Sequence, residues 1–313
     1  MNLLAIEIGG TKLQLALGDA AGAIRVRRKL EVARGEGAAG IRAQIARVVP
    51  ELRLEAGPLA AVGVGFGGPV DWRTGRICLS HQIEGWSEFD LAGWLGEIAG
   101  APVFVDNDGN VAALGEARRG AGVGRRSVFY VTLGSGVGGG LIVDGAIYHG
   151  ASPGEAEIGH VRLDRDGTIV EHRCSGWAVD GRVRGAVAAS PGGALARLVA
   201  TSPGGEARHL AAALAEGDPL AARIVEETAG DLAFGLSHAM HLFHPDVIVL
   251  GGGLSGLGEP LRAAVAAGLR GHLMEALVPT IDVRLTALGA DVVPVGALLL
   301  AADRLGGAAE TRR

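Results

Sequence analysis

Residues 127–143 read SVFYVTLGSGVGGGLIV and place a glycine-rich segment between two apolar runs. Apolar runs bounded by glycine are typical of buried β-strands, so strands are predicted over residues 127–133 and 141–143. A shorter version lies near the start of the chain, where LLAIEI (residues 3–8) is followed by Gly9-Gly10-Thr11 and by period-two alternation through Leu17. The repeated order of strand, glycine turn and strand predicts a duplicated architecture of two similar lobes.

The remaining segments alternate between strand and helix patterns. Strands are predicted over residues 60–66, 102–105, 247–250 and 281–285, and helices over residues 40–53, 111–118, 219–243 and 296–305. The helix 219–243 has the clearest signal, because its apolar residues recur at spacings of three and four and His244-Pro245 ends it. Strands that alternate with helices predict an α/β fold.

Composition and charge restrict the class of protein. A chain of 313 residues predicts about two domains, because single cores rarely grow beyond about 250–300 residues. The net charge of −5 argues against binding nucleic acid by broad phosphate neutralisation. No apolar run approaches the roughly 18–20 residues that span a bilayer, and the first residues lack signal-peptide features. Two cysteines cannot form a disulfide framework. We therefore expect a cytoplasmic protein without nucleic-acid or membrane partners.

The two glycine segments are candidate phosphate sites, because glycine turns leave backbone N–H groups uncovered. For Gly9-Gly10-Thr11, an ordinary hairpin turn explains the residues equally well. For the five glycines within residues 134–140, approach to a ligand is the favoured interpretation. No Gly-Lys-Ser/Thr of a Walker A loop follows either segment, and the Gly-x-Gly-x-x-Gly string at Gly134 leads into a strand rather than the helix of a dinucleotide site.

Two polar clusters could carry chemistry. In Asp106-Asn107-Asp108, at a strand-to-helix junction, Asp108 is either the helix N-cap or a group that accepts a proton from a polyol hydroxyl held by Asn107. Glu157 and His160 could both contact one hydroxylated ligand, although on the residues alone a surface or structural role for the histidine is favoured. His160, His172 and Cys174 are the nearby zinc-ligand types, and their arrangement makes a poor structural zinc site.

Taken together, six segments in order along the chain resemble the motifs of the ROK family, which contains bacterial sugar kinases and sugar-responsive repressors. The matching segments are Glu7–Lys12, Gly65–Asp71, Val105–Glu116, Leu133–Gly140, Glu157–His160 and Gly251–Gly253. The resemblance implies a two-lobed actin-like ATPase (ribonuclease H-like) fold with duplicated mixed β-sheet domains and a cleft between them. The implied domains are an N-terminal lobe, residues 1–118 completed by a C-terminal helix at about 294–313, and a C-terminal lobe, residues 119–293.

The resemblance also implies roles for individual residues. Asp108 would be the general base, and the sugar would be bound by Gly67, Gly68, Asn107, Glu157 and His160. Glu7 would orient the Mg²⁺ of ATP through water. The ATP phosphates would be held by Gly9, Gly10, Thr11, Lys12, Gly134, Ser135, Gly136, Gly138 and Gly139, with Gly252 and Gly253 beside the adenosine. The family resemblance further implies a homodimer.

Two departures from the family pattern stand out. Glu7 replaces the usual Asp, which keeps the charge and lengthens the side chain by one methylene. Residues 171–180 (EHRCSGWAVD) retain one cysteine where the family pattern has a zinc-binding cysteine cluster, so no structural zinc is predicted. Asp180 is the acid nearest to the position of the family's last sugar-binding glutamate, and it is assigned that role.

The leading hypothesis is an ATP-dependent hexose kinase that phosphorylates C6 of glucose or a related hexose, with N-acetylated hexosamines and fructose as open alternatives. A second hypothesis is a catalytically silent sugar-binding protein, which retention of Glu7, Asn107 and Asp108 argues against. A third is a sugar-responsive repressor without its DNA-binding domain. The first predicted strand begins at residue 3 and the chain is acidic, so a repressor is the least favoured.

Overall fold

The computed structural model describes residues 1–10, 12–32, 34–80, 83–151, 154 and 156–310, without the side chains of residues 34 and 308–310. Within this part of the chain the strands are β1 Leu3–Ile8, β2 Leu13–Gly18, β3 Ile24–Leu30, β4 Ala61–Phe66, β5 Val70–Asp71, β6 Arg76–Ile77, β7 Val103–Asn107, β8 Ser127–Leu133, β9 Val137–Val143, β10 Ala146–Ile147, β11 Val247–Gly251 and β12 Val283–Leu285. The α-helices are α1 Gly37–Ala56, α2 Leu91–Ala99, α3 Asp108–Arg119, α4 Val170–Cys174, α5 Gly176–Ala189, α6 Ala194–Thr201, α7 Leu210–Ala215, α8 Pro219–Phe243, α9 Glu259–Arg270 and α10 Val292–Glu310.

The first sheet has the order β3-β2-β1-β4-β7. Strands β1, β2 and β3 are antiparallel neighbours, whereas β1, β4 and β7 run parallel. In this register Ile8 pairs with Phe66, and Phe66 pairs with Asn107. The three parallel strands therefore end at the same edge of the sheet, where open α/β sheets bind ligands.

Helix α10 packs closely against this sheet because glycines remove the side chains between them. A Cβ atom on Gly63 of β4 would lie 1.9 Å from the carbonyl oxygen of Ala297. A Cβ atom on Gly296 would lie 1.8 Å from the carbonyl oxygen of Val111 in α3. Helix α10 thus packs backbone to backbone on β4 and α3, which lie at the edge where the parallel strands end.

The second sheet has the order β10-β9-β8-β11-β12, in which β8, β11 and β12 are parallel. The predicted helix 219–243 is confirmed as α8 with the same bounds. It begins at Pro219 because Asp218 accepts hydrogen bonds from the N–H groups of Leu220 and Ala221 and proline suits the first turn. The prediction that the second strand of this sheet begins at Leu141 is wrong. Strand β9 begins at Val137, so most of the glycine-rich segment belongs to the ladder.

The predicted α/β class with two mixed sheets is confirmed. By contacts, the chain divides into two compact units: Met1–Gly124, Gly140–Glu155 and Ala290–Arg313 form the first, and Arg125–Gly139 and Ala156–Gly289 form the second. The predicted domain boundary between residues 118 and 119 stays a prediction. None of the described helices is both long enough and apolar enough to cross a membrane.

Replacement of Gly296 by alanine tests the close packing of α10. The added Cβ atom has no room, so we expect Gly296→Ala to lower the free energy of unfolding by about 2 kcal/mol, in the range of overpacked cores. In the same helix a Cβ atom on Gly306 would meet nothing within 4 Å. Gly306→Ala should therefore leave stability unchanged or slightly raised, since alanine favours helices. Urea denaturation measures both variants, and equal effects at the two positions would contradict the packing argument.

Candidate active site

Asn107 organises the junction between β7 and α3. Its Oδ1 accepts hydrogen bonds from the N–H groups of Gly109 (2.8 Å) and Asn110 (3.4 Å), so Asn107 is the N-cap of α3. Its Nδ2 donates to the carbonyl oxygen of Gly68 at 3.1 Å. The alternative that Asp108 is the N-cap is therefore wrong, and Asp108 is the first residue of the helix. Capping of α3 is thus a function of Asn107.

The Asp108 carboxylate lies over the backbone of Gly67. A Cβ atom placed on Gly67 would be 3.3 Å from Asp108 Oδ2 and 3.5 Å from the Cα atom of Gly9. Gly67 also donates its N–H to the carbonyl oxygen of Ile8 at 2.8 Å, which holds the ends of β1 and β4 together. At the same edge a small pocket is lined by Ile8, Gly9, Gly10, Phe66, Gly67, Ser80, Ile83 and Trp86. The structure thus brings the predicted residues Gly9, Gly10, Gly67, Gly68, Asn107 and Asp108 to one edge of the first unit.

Glu7 is buried inside the first sheet. It faces Gln14 on β2, whose Nε2 donates to the Glu7 carboxylate and, at 3.2 Å, to the carbonyl oxygen of Ala290. Burial raises the pKa of Glu7 above its ordinary value, and the hydrogen bond from Gln14 and the nearby charge of Lys12 oppose this rise. Lys12 itself is exposed. Thr11, predicted to contact phosphate, lies outside the described residues.

In the second unit, the predicted phosphate segment is a tight turn with a hydrogen bond of 3.0 Å from the N–H of Gly134 to the carbonyl oxygen of Gly136. Two contacts fix this turn. Gly176 N–H donates to the Gly134 carbonyl oxygen at 2.7 Å, and Val137 N–H donates to Glu171 Oε2 at 2.9 Å. Glu171 was not singled out in the sequence, because its contact is with a backbone amide 34 residues away and leaves no local pattern.

The glycines of this segment serve different purposes. A Cβ atom on Gly139 would lie 2.7 Å from the carbonyl oxygen of Ala156, so packing alone requires glycine there. At Gly134, the nearest atoms to such a Cβ would be 3.9 Å away, and at Gly138 the nearest would be 3.4 Å away. Phosphate binding by Gly134, Ser135, Gly136, Gly138 and Gly139 stays a prediction, although packing alone already explains the glycine at position 139.

Glu157 precedes the turn-like segment Ile158–His160, which His160 ends and which packs on β9. Its Gly159 is required because a Cβ atom would lie 2.1 Å from the Val137 carbonyl oxygen. Desolvation by the surrounding protein raises the pKa of Glu157, His160 opposes this rise, and the negative charge of Glu171 adds to it. Glu157, His160 and Glu171 therefore interact electrostatically within the second unit, beside the glycine turn.

Asp180 and Gly252, two other predicted site residues, each contact neighbouring backbone groups of the second unit. Asp180 Oδ1 accepts the N–H of Ala207 at 2.7 Å, which accounts for this side chain without a ligand. Sugar binding by Asp180 stays a prediction. Gly252 follows β11 with φ of +79°, and a Cβ atom there would lie 2.5 Å from the Leu133 backbone. Gly252 and Gly253 thus lie where β8 and β11 end together, and their adenosine role also stays a prediction.

An ionic network connects helix α8 to residues 173–182, the part of the chain where the family pattern has a zinc site. Asp231 on α8 accepts hydrogen bonds from Arg173 Nε (3.0 Å) and Arg182 (3.4 Å). Arg182 also donates to Thr228 Oγ1 and to the Arg173 carbonyl oxygen, both at 2.9 Å. Burial, followed by the charge of Asp231, raises the pKa of Cys174 to about 12, which disfavours the thiolate that binds metals. Within the described ranges no three His, Cys, Asp or Glu residues are grouped to hold a metal ion.

Two α/β units, each with a glycine turn at the ends of parallel strands, define the actin-like ATPase fold. The chain belongs to the ROK family, whose model matches residues 3–304. It is 29% identical to a glucokinase of Halalkalibacterium halodurans, over 94% of this chain and 92% of that protein. It is 31% identical to a glucokinase of Streptomyces coelicolor, over 96% and 97% of the two chains. Its structure is similar to that of a ROK family glucokinase from Streptomyces griseus in complex with glucose and AMPPNP, with a TM-score of 0.86, 30% identity and coverage of 97% and 100%.

The buried Glu7 carboxyl gives stability a defined dependence on pH. Because the pKa of Glu7 is raised in the folded state, its contribution to stability is fully present below the unfolded pKa, which is near 4.5. That contribution is lost as the pH rises through the folded pKa. Glu7→Gln has no such proton to lose and can still accept from Gln14. We expect the melting temperature of this variant, relative to the original protein, to increase from pH 4 to pH 8. Glu226→Gln, at an exposed position of α8, is the control, and a difference independent of pH would contradict the argument.

The Arg173–Asp231–Arg182 network predicts that the folded protein does not depend on zinc. We expect metal analysis of the purified protein to find far less than one zinc ion per chain, and EDTA to leave the melting temperature unchanged. Asp231→Asn should lower the melting temperature, because it removes the charge shared by two arginines. Stoichiometric zinc, or a loss of stability in EDTA, would show that the segment binds metal after all.

Proposed function

We propose that this protein transfers the γ-phosphoryl group of ATP to a hydroxyl group of a hexose, most naturally C6 of glucose or a related hexose. The observation that carries the proposal is the Asp108 carboxylate, positioned over the Gly67 backbone at the common end of three parallel strands. Similarity to glucokinases, and to a structure that contains glucose and AMPPNP, supports the same reaction.

In this proposal Asp108 is the general base. Its carboxylate accepts the proton of the sugar hydroxyl while the hydroxyl oxygen bonds to the γ-phosphorus and the bond to the β-phosphate oxygen breaks, which releases ADP. In phosphoryl transfer the base acts chiefly by orienting the nucleophile, so its position matters more than a shifted pKa. Asn107 maintains that position, because it caps α3 and is bonded to Gly68.

In the second unit, the residues predicted for the nucleotide and for sugar hydroxyls have suitable chemistry. Backbone N–H groups and Ser135 of the turn at Gly134–Gly136 are suited to phosphate oxygens, and the carboxylate and imidazole of Glu157 and His160 to sugar hydroxyls. MgATP is the expected form of the donor. Because the Glu7 carboxylate accepts a hydrogen bond from Gln14, it would contact the substrate's Mg²⁺ through a water molecule rather than directly. A cytoplasmic homodimer stays a prediction from sequence.

A coupled assay of ADP release over about ten hexoses, with ATP and Mg²⁺, tests the proposal. We expect one hexose or a few related ones to support turnover. Asp108→Ala should lower kcat by about 1,000-fold or more and retain sugar binding measured by calorimetry, since the base acts on the reacting hydroxyl. Asp166→Ala, at an exposed turn position, is the matched control.

The outcomes separate the three functional hypotheses. Near-native kcat in Asp108→Ala would show that another group is the base. Sugar binding by the original protein without ADP release over the whole panel would favour the silent sugar-binding protein. Sugar-dependent binding of a longer form of the chain to DNA would favour the repressor.

A further inference from the structure

The carboxylate of Asp106 is the centre of a buried network directly behind Asn107 and Asp108. Asp106 is 2% exposed, and its Oδ1 accepts the N–H of Asn107 at 2.8 Å and Nδ2 of Asn110 at 3.0 Å. Its Oδ2 lies 2.7 Å from Nε2 of His149. One carboxylate therefore joins the last residue of β7, the first turn of α3 and a histidine that follows β10.

His149 is held in place by an aromatic stack. Its ring lies 4.2 Å from that of Trp72, with an angle of 21° between the ring planes. The guanidinium groups of Arg73 and Arg304 each lie 4.5 Å from the Trp72 ring, in the range of cation–π contacts. The His149 side chain is only 11% exposed. The stack limits rotation of the imidazole, so Nε2 stays directed at Asp106.

From this arrangement we propose that His149 is a positioning residue for the phosphoryl-transfer reaction, acting on Asp108 through Asp106. The proposal rests on the proposed function of Asp108. An ionised carboxylate only accepts hydrogen bonds, so Nε2 donates to Oδ2 and fixes the carboxylate plane. Oδ1 then keeps the Asn107 amide and the Asn110 side chain in place, and the first turn of α3 carries Asp108 at a constant position.

The same contact also fixes the chain that follows β10. The histidine thus ties the chain just after β10 to the strand end that precedes the candidate base. Loss of the contact should affect the reacting geometry more than the affinity for ATP.

Three substitutions separate the hydrogen bond from the stack. His149→Phe keeps an aromatic ring against Trp72 and removes the donor, His149→Gln keeps an N–H donor at a similar reach, and His149→Ala removes both. We expect kcat to fall by about 10- to 100-fold in the Phe and Ala variants, because small displacements of reacting groups cost up to about 100-fold in rate. The KM for ATP should stay within about threefold. The Gln variant should recover most of kcat, and His272→Ala, an exposed histidine of the second unit, should match the original protein.

Two further measurements distinguish positioning from misfolding and from failure of the proposed function. The stoichiometry of sugar binding counts the folded sites and should stay near one per chain in the Phe variant. Hydrogen exchange at the amides of residues 107–110 should be faster in that variant and normal in the Gln variant. Unchanged kcat and unchanged exchange in the Phe variant would overturn the proposal. If the original protein phosphorylates no hexose, the proposed function fails, and the exchange experiment alone decides whether His149 positions this turn.

Discussion

Parallel pairing of β1, β4 and β7 is the constraint on which the candidate site depends. Because the three strands run in the same direction in adjacent register, their carboxyl ends deliver Gly9, Gly67 and Asp108 to one edge. Each strand is continued by a structure that exposes backbone or a helix N-terminus rather than a bulky side chain. The close approach of α10 supports this edge from behind, since Gly296 packs against Val111 in the first turn of α3, the helix that begins with the candidate base.

Glycine has two separate functions in this chain. Gly63, Gly139, Gly159 and Gly296 allow one backbone to contact another, and any side chain there would overlap a carbonyl oxygen. Gly134 and Gly138, by contrast, have space around the missing side chain. A glycine-rich sequence therefore does not by itself identify a ligand site. The distinction between the two functions requires the position of the neighbouring backbone, which the sequence does not contain.

The sequence predicted the elements whose signals are local. Helix α8 was correct at both ends, because the Asp218 cap, Pro219 and the apolar periodicity all lie within the helix or next to it. The start of β9 was missed, because glycines carry no alternating pattern and their strand conformation comes from the neighbouring strand. Asn107 and Asp108 both suit a helix cap, and only the hydrogen bonds of Asn107 distinguish them. The roles of Glu171 and His149 could not be predicted from the sequence, because their partners, Val137 and Asp106, are 34 and 43 residues away.

The network of Arg173, Asp231 and Arg182 has a consequence for the environments in which this protein works. A metal–thiolate cross-link depends on the supply of the ion and on reducing conditions, whereas partly exposed guanidinium–carboxylate pairs depend on ionic strength. This corner of the second unit should therefore be indifferent to metal starvation and to oxidants that attack thiolates. High ionic strength should instead weaken this part of the second unit, because salt screens the ion pairs.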